Sequence, residues 1–112
     1  MATHEFDSSF AGRTLTVEPG DDIVIVLDEN PTTGYQWSVV SFDSRRLTLV
    51  RDDFAPMSCA TGAGGKKSYQ LRAGRPGRAG FSVKLWRAWS GESSVIDRRT
   101  FSFRVTVGRR GN

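Results

Sequence analysis

The stretch Phe101-Ser102-Phe103-Arg104-Val105-Thr106-Val107 puts an apolar residue at every second position and a polar one between. A period of two fits a strand with one face buried and one face wet. The same period runs through Thr14-Leu15-Thr16-Val17, Ser68-Tyr69-Gln70-Leu71-Arg72-Ala73 and Phe81-Ser82-Val83-Lys84-Leu85. It predicts Tyr69, Leu71 and Ala73 on one face, with Phe81, Val83 and Leu85 turned to the core. Asp22-Ile23-Val24-Ile25-Val26-Leu27 is instead a continuous β-branched run, the mark of a strand covered on both sides or lying in a sandwich core. Trp37-Ser38-Val39-Val40 and Arg46-Leu47-Thr48-Leu49-Val50 are shorter candidates, the second followed by a less regular stretch from Asp52 to Cys59.

Turn chemistry separates these runs. Glu18-Pro19-Gly20-Asp21 and Gly74-Arg75-Pro76-Gly77-Arg78 combine a proline, which fixes φ, with a glycine, which accepts φ > 0. About seven short strands at even spacing, with no helical period, predict an all-β, immunoglobulin-like antiparallel β-sandwich; a closed barrel is the main rival. The lone cysteine excludes a disulfide-pinned antibody domain. At 112 residues the chain has the size of one domain, expected to span 1–112 with its core from about 14 to 107 and frayed tails.

The titratable residues exclude most chemistry. Cys59 is the only cysteine and His4 the only histidine, so neither an internal disulfide nor a thiolate zinc site can form. A Ser-His-Asp or Cys-His triad would require His4 to fold back from a polar N-terminal stretch beside Cys59 or a serine. The chain is therefore expected not to be an enzyme and to hold no cofactor or metal, with Cys59 a buried structural thiol. The net charge of +4 comes with arginines scattered along the chain and no motif of a nucleic-acid reader, so no nucleic-acid partner is expected. No segment reaches the roughly 20 apolar residues of a membrane-spanning helix. The start, Met1-Ala2-Thr3-His4-Glu5, lacks the order of a signal peptide. Either a cytoplasmic location or secretion to the periplasm or exterior with a leader removed fits this pattern.

Three loops carry more than a connection needs. In Asn30-Pro31-Thr32-Thr33-Gly34-Tyr35-Gln36-Trp37, a turn accounts for Asn30, Pro31 and Gly34 but not for the paired threonines or the framing aromatics. A stiffened loop has little entropy left to lose on binding. Gly62-Ala63-Gly64-Gly65 lacks the Lys-Ser/Thr ending of a phosphate-binding loop; its glycines suit either a close approach to a partner or a flexible connection. In Leu85-Trp86-Arg87-Ala88-Trp89-Ser90-Gly91, Trp86 is expected to cover an edge of the core and Trp89 to be exposed on the turn. Tryptophan and arginine are the types that dominate interface hot spots.

These three segments, in this order and spacing, resemble the chagasin-like cysteine protease inhibitors, and the resemblance runs from about Leu15 to Val107. Asn30–Tyr35 followed by Trp37 is its most specific part. Arg87-Ala88-Trp89 departs from the usual Arg-Pro-Trp of that family by Ala88, which frees φ and restores a backbone N–H. The resemblance implies a reversible, competitive inhibitor of papain-like (clan CA) cysteine proteases, papain or cathepsin L in type, acting as a monomer. It further implies that Asn30, Pro31, Thr32, Thr33, Gly34 and Tyr35 enter the cleft over the catalytic cysteine. Arg87, Ala88 and Trp89 would pack on the primed side and Gly62, Ala63, Gly64 and Gly65 on the non-primed side. The rival is a carbohydrate- or peptide-binding β-sandwich presenting Trp37, Trp86 and Trp89 to its ligand.

Overall fold

The computed structural model describes residues 2–29, 33–56 and 64–107. Among these residues eight strands alternate with turns: β1 (Thr3–Asp7), β2 (Thr14–Val17), β3 (Asp22–Glu29), β4 (Gln36–Phe42), β5 (Leu47–Pro56), β6 (Gly65–Ala73), β7 (Gly77–Trp86) and β8 (Asp97–Val105). They form two four-stranded sheets, in the orders β1-β3-β6-β5 and β2-β8-β7-β4. Two separate sheets packed face to face make a sandwich of the immunoglobulin type and not a closed barrel.

The period of two places the core. Ile23, Ile25 and Leu27 of β3, Tyr69, Leu71 and Ala73 of β6, Ala79, Phe81 and Val83 of β7, and Phe101, Phe103 and Val105 of β8 point into the space between the sheets. Leu85 is half-buried against this core. The β-branched run of β3 is buried on one face only, because Val24 and Val26 lie on the half-exposed outer side.

The strand pairing departs from an all-antiparallel sandwich of about seven strands at the N terminus. β1 runs parallel to β3 and β2 parallel to β8. The leading segment therefore contributes one edge strand to each sheet, crossing between them through a 3-10 turn at Ser8–Phe10. A core beginning near residue 14 behind a frayed N terminus is thus corrected. Phe6 lies 4.5 Å from Phe10 and about 6 Å from both Phe101 and Phe103, ring centre to ring centre, and this aromatic contact anchors β1. The expected C-terminal fray from Gly108 onward lies outside the described residues.

The stretch after Asp52 is also more regular than its composition suggests, since β5 continues to Pro56. Its register slips between Leu49 and Arg51, and that of β4 between Val39 and Ser41. Each bulge turns a valine, Val50 or Val40, outward on an edge strand. Bulges and charges on edges discourage further strand pairing.

Asp21 fastens β1 to the turn between β2 and β3. Its carboxylate accepts the amides of Ala2 and Glu18, each at 3.0 Å, and lies 3.0 Å from His4 Nε2. Burial alone pushes this carboxyl up, but the hydrogen bonds from His4, Glu18 and Ala2 outweigh it and hold the pKa down to about 2. A lowered folded-state pKa gives stability that is complete above the ordinary value of 3.8 and lost as the pH falls towards about 2. Asp21→Asn should therefore lower the unfolding free energy at neutral pH by about 1–3 kcal/mol and flatten its decline between pH ~4 and ~2. Urea unfolding across that range checks both; a variant as acid-sensitive as the parent would remove Asp21 from this role.

Candidate functional site

The register brings three connections to one end of the sandwich. Glu29, the last residue of β3, pairs with Gly65 at the start of β6, which pairs with Pro56 at the end of β5. In the other sheet Gln36, opening β4, pairs with Trp86, closing β7, and Leu85 pairs with Asp97 at the start of β8. Trp37 ties the two sets together: its amide donates to Glu29 Oε1 at 2.8 Å and its indole N–H donates to the Asp28 carbonyl at 2.8 Å. The ends of β3, β5 and β7 and the starts of β4, β6 and β8 therefore lie together at this end.

The first and third segments touch. The Arg87 guanidinium donates to the Thr33 carbonyl from Nε at 3.2 Å and from Nη2 at 3.1 Å. The same group sits over the Tyr35 ring, 4.3 Å from its centre, so it grips the loop by a forked hydrogen bond and a cation–π contact at once. Gly34 has φ +83°, and a Cβ there would lie 2.8 Å from Cη2 of Trp89. Glycine is needed at this position twice over, for its dihedral and for the indole beside it. The Tyr35 amide lies 3.3 Å from Thr33 Oγ1 and donates to it, a local turn.

Below this contact the third segment is braced by its own return. Ala88–Ser90 and Glu92–Ser94 form two 3-10 turns joined at Gly91, whose φ is +77°. Ser94 Oγ accepts the Arg87 amide at 3.0 Å, and its hydroxyl has the carbonyls of Arg87 and Gly91 within 2.9 Å. Glu92 bridges Lys84 and Arg98, and Lys84 Nζ lies 3.5 Å above the Trp86 ring. Trp86, whose indole N–H donates to Ser38 Oγ at 3.0 Å, is thus half-buried on the outer face of its sheet rather than at a core edge. Trp89 is 74% exposed at the apex of the braced turn.

Of the residues singled out from sequence, Thr33, Gly34, Tyr35, Arg87, Ala88 and Trp89 are brought together here. Asn30, Pro31, Thr32, Gly62 and Ala63, like Cys59, lie outside the described residues. Gly64 has φ +76°. Gly65 is not a loop residue but the buried first residue of β6, and a Cβ on it would meet Phe54 Cζ and the Ala55 carbonyl at 2.5 Å. Packing within the chain already requires a glycine at this position.

Sequence reasoning missed Glu29, Ser94 and Glu92, which hold the loops in place. For Glu29 a signal was present. It continues the inward parity of Ile23, Ile25 and Leu27, so a carboxylate was due to be buried at the mouth of the first loop, where it is 8% exposed. Among the described residues no group of three His, Cys, Asp or Glu could hold a metal ion, and no helix is long and apolar enough to cross a membrane.

Comparison with known proteins gives a consistent set of likenesses. Residues 16–107 match the family described as Chagasin family peptidase inhibitor I42. The chain is 33% identical over 96 residues to Amoebiasin-1 of Entamoeba histolytica, covering 84% of this chain and 89% of that protein. It is 30% identical over 103 residues to Chagasin of Trypanosoma cruzi, covering 88% and 94% respectively. The crystal structure of a cysteine protease inhibitor from Entamoeba histolytica aligns with a TM-score of 0.80 at 22% identity, over 93% of this chain and 95% of that one. The structure of PbICP-C in complex with falcipain-2 aligns with a TM-score of 0.63 at 15% identity, over 93% of this chain and 88% of that one. At these identities the two structures speak to the fold alone.

Proposed function

The chain belongs to the chagasin family of peptidase inhibitors, and from that premise we propose that it blocks the cleft of papain-like cysteine proteases, reversibly and competitively, with the three segments at one end of its sandwich. It is an inhibitor and not an enzyme. The observation that carries this reading is the joint between the first and third loops. Arg87 holds the Thr33 carbonyl and the Tyr35 ring while Trp89 rests on Gly34 and stays exposed.

Two loops locked to each other present one preformed surface, so less conformational entropy is lost on binding. A rigid wedge can also fill a cleft without setting a peptide carbonyl in line for attack by the catalytic thiolate, which lets it occupy the site uncut. Thr33 of the first loop would face the nucleophile together with Thr32, and Trp89 would stack on an aromatic of the enzyme's primed side. Gly64, with Gly62 and Ala63, would flank the non-primed side. Three short loops suffice for an interface of about 800 Å² per partner. The domain would act alone, as a monomer with these loops open. Steady-state kinetics tests this directly: apparent KM should rise with inhibitor while kcat stays constant, and dilution should restore activity. A fall of kcat at saturating substrate would contradict cleft occlusion.

A sugar-binding module is not favoured. Such modules need aromatics side by side on an open face, whereas Trp37 is 7% exposed inside the core, Trp86 lies under Lys84, and only Trp89 stands clear.

Ala88 opens the first 3-10 turn of the third loop, a position whose N–H lies outside the turn's hydrogen bonds. The preceding Arg87 has φ −100° and ψ 108°, the extended region that a residue before proline prefers. Proline therefore fits without strain, and Ala88→Pro should stiffen the free loop by about 0.4–1 kcal/mol. The inhibition constant should fall about two- to fivefold; weaker inhibition by this variant would show that the turn must flex to bind.

A further inference from the structure

β7 and β8 pair so that Arg78 stands directly opposite Arg104. Both are exposed on the outer face of their sheet, and like charges facing each other across a strand pair repel. Neither guanidinium has an ion-pair partner among the described residues. The same two strands hold a second such pair, Lys84 opposite Arg98, and there Glu92 bridges both cations. At the loop end the chain supplies a carboxylate to its facing cations; at the far end no described residue does.

Beside the arginines the surface is hollow. Gly80 pairs with Ser102, which pairs in turn with Thr14 of β2. A Cβ on Gly80 would meet only the Phe101 carbonyl, at 3.9 Å, so this glycine makes room for no neighbour and leaves the face open. The hollow measures about 490 Å³ and is bordered by Thr14, Asp43, Arg78, Gly80, Ser102 and Arg104 among others. Among the described residues Asp43 brings the one carboxylate to this border, and it is already engaged by Arg46 Nη1 at 2.8 Å and by the Arg45 amide at 3.0 Å.

The geometry points to a binding site for a tetrahedral oxyanion, a phosphate or sulfate monoester, gripped by Arg78 and Arg104 with the Ser102 and Thr14 hydroxyls as further donors. Paired guanidiniums offer forked, charge-assisted hydrogen bonds to such oxygens, and the bound charge would relieve the repulsion between them. The volume falls within the range of small-molecule sites, so an anion carried on a sugar-sized group fits. Arg78 lies eight residues along β7 from Trp86, roughly 25 Å. The oxyanion and a protease can therefore be bound together, leaving the inhibitory end free while the other end is held to an anionic ligand.

The test follows backbone amide shifts of the whole chain by NMR as inorganic phosphate or, separately, a sulfated disaccharide is added at constant ionic strength. Saturable shifts are expected at residues 78–80 and 102–104, with a dissociation constant in the millimolar range or below. Tighter binding of the disaccharide identifies the sulfate ester as the source, and tighter binding of phosphate the free ion. Arg104→Gln, and independently Arg78→Gln, should weaken binding about tenfold. Each should also raise Tm, because one of two repelling charges is gone, with the inhibition constant for papain unchanged. Shifts no greater than chloride produces, or equal affinity in both variants, would overturn the proposal.

Discussion

Trp89→Ala should raise the inhibition constant against papain by about tenfold or more, with little change in Tm. A tryptophan covers about 150–250 Å² when it is buried by a partner. At about 25 cal/mol per Å² that is several kcal/mol of gross stabilisation, and hot-spot truncations retain about 2 kcal/mol or more of it. In the free chain the indole is 74% exposed, so its truncation forfeits little folded-state packing. The two measurements therefore separate: an interface role moves the inhibition constant, and a packing role moves Tm. An unchanged inhibition constant would remove Trp89 from the site.

Gly34→Ala is expected to have a comparable effect by a different route. At φ +83° an alanine is strained, by about 1–2 kcal/mol, and its Cβ would lie 2.8 Å from Trp89 Cη2. The indole must swing away, which dismantles the surface that Trp89 and the first loop share. Inhibition should weaken about tenfold or more while the protein stays folded. Because both variants act through one indole, their effects should not add: in a Trp89→Ala background Gly34→Ala retains only its strain. A full additive loss in the double variant would show that the loops bind independently.

The sandwich was legible because burial follows sequence parity. Phe101, Phe103 and Val105 alternate with polar residues, as do Tyr69 and Leu71 in β6 and Phe81 in β7, and all are buried. What escaped was pairing without a local signal. β1 meets β3 in parallel, with no turn between them to announce it, and Phe6 reads as a lone aromatic until it is set against Phe101 and Phe103. β5 runs on through Arg51, Asp52 and Asp53 because an edge strand tolerates charge that a central strand would not.

The candidate site divides in the same way. Trp89 was readable as exposed, since it sits on a turn between Ala88 and Ser90. The clamp from Arg87 to Thr33 joins residues 54 apart, a distance no pattern along the chain encodes. Ser94 and Glu92, which hold the third loop, look from sequence like ordinary polar loop residues. Gly65 reads along the chain as a continuation of the glycine loop, yet it opens β6 and the Phe54 ring takes the space of its missing side chain.

The central claim, cleft occlusion of papain-like proteases, is tested most directly by titrating papain, and a cathepsin L-type enzyme beside it, against a fluorogenic peptide substrate. Competitive inhibition at nanomolar concentrations is the predicted result. No inhibition of either enzyme at about ten micromolar would contradict it.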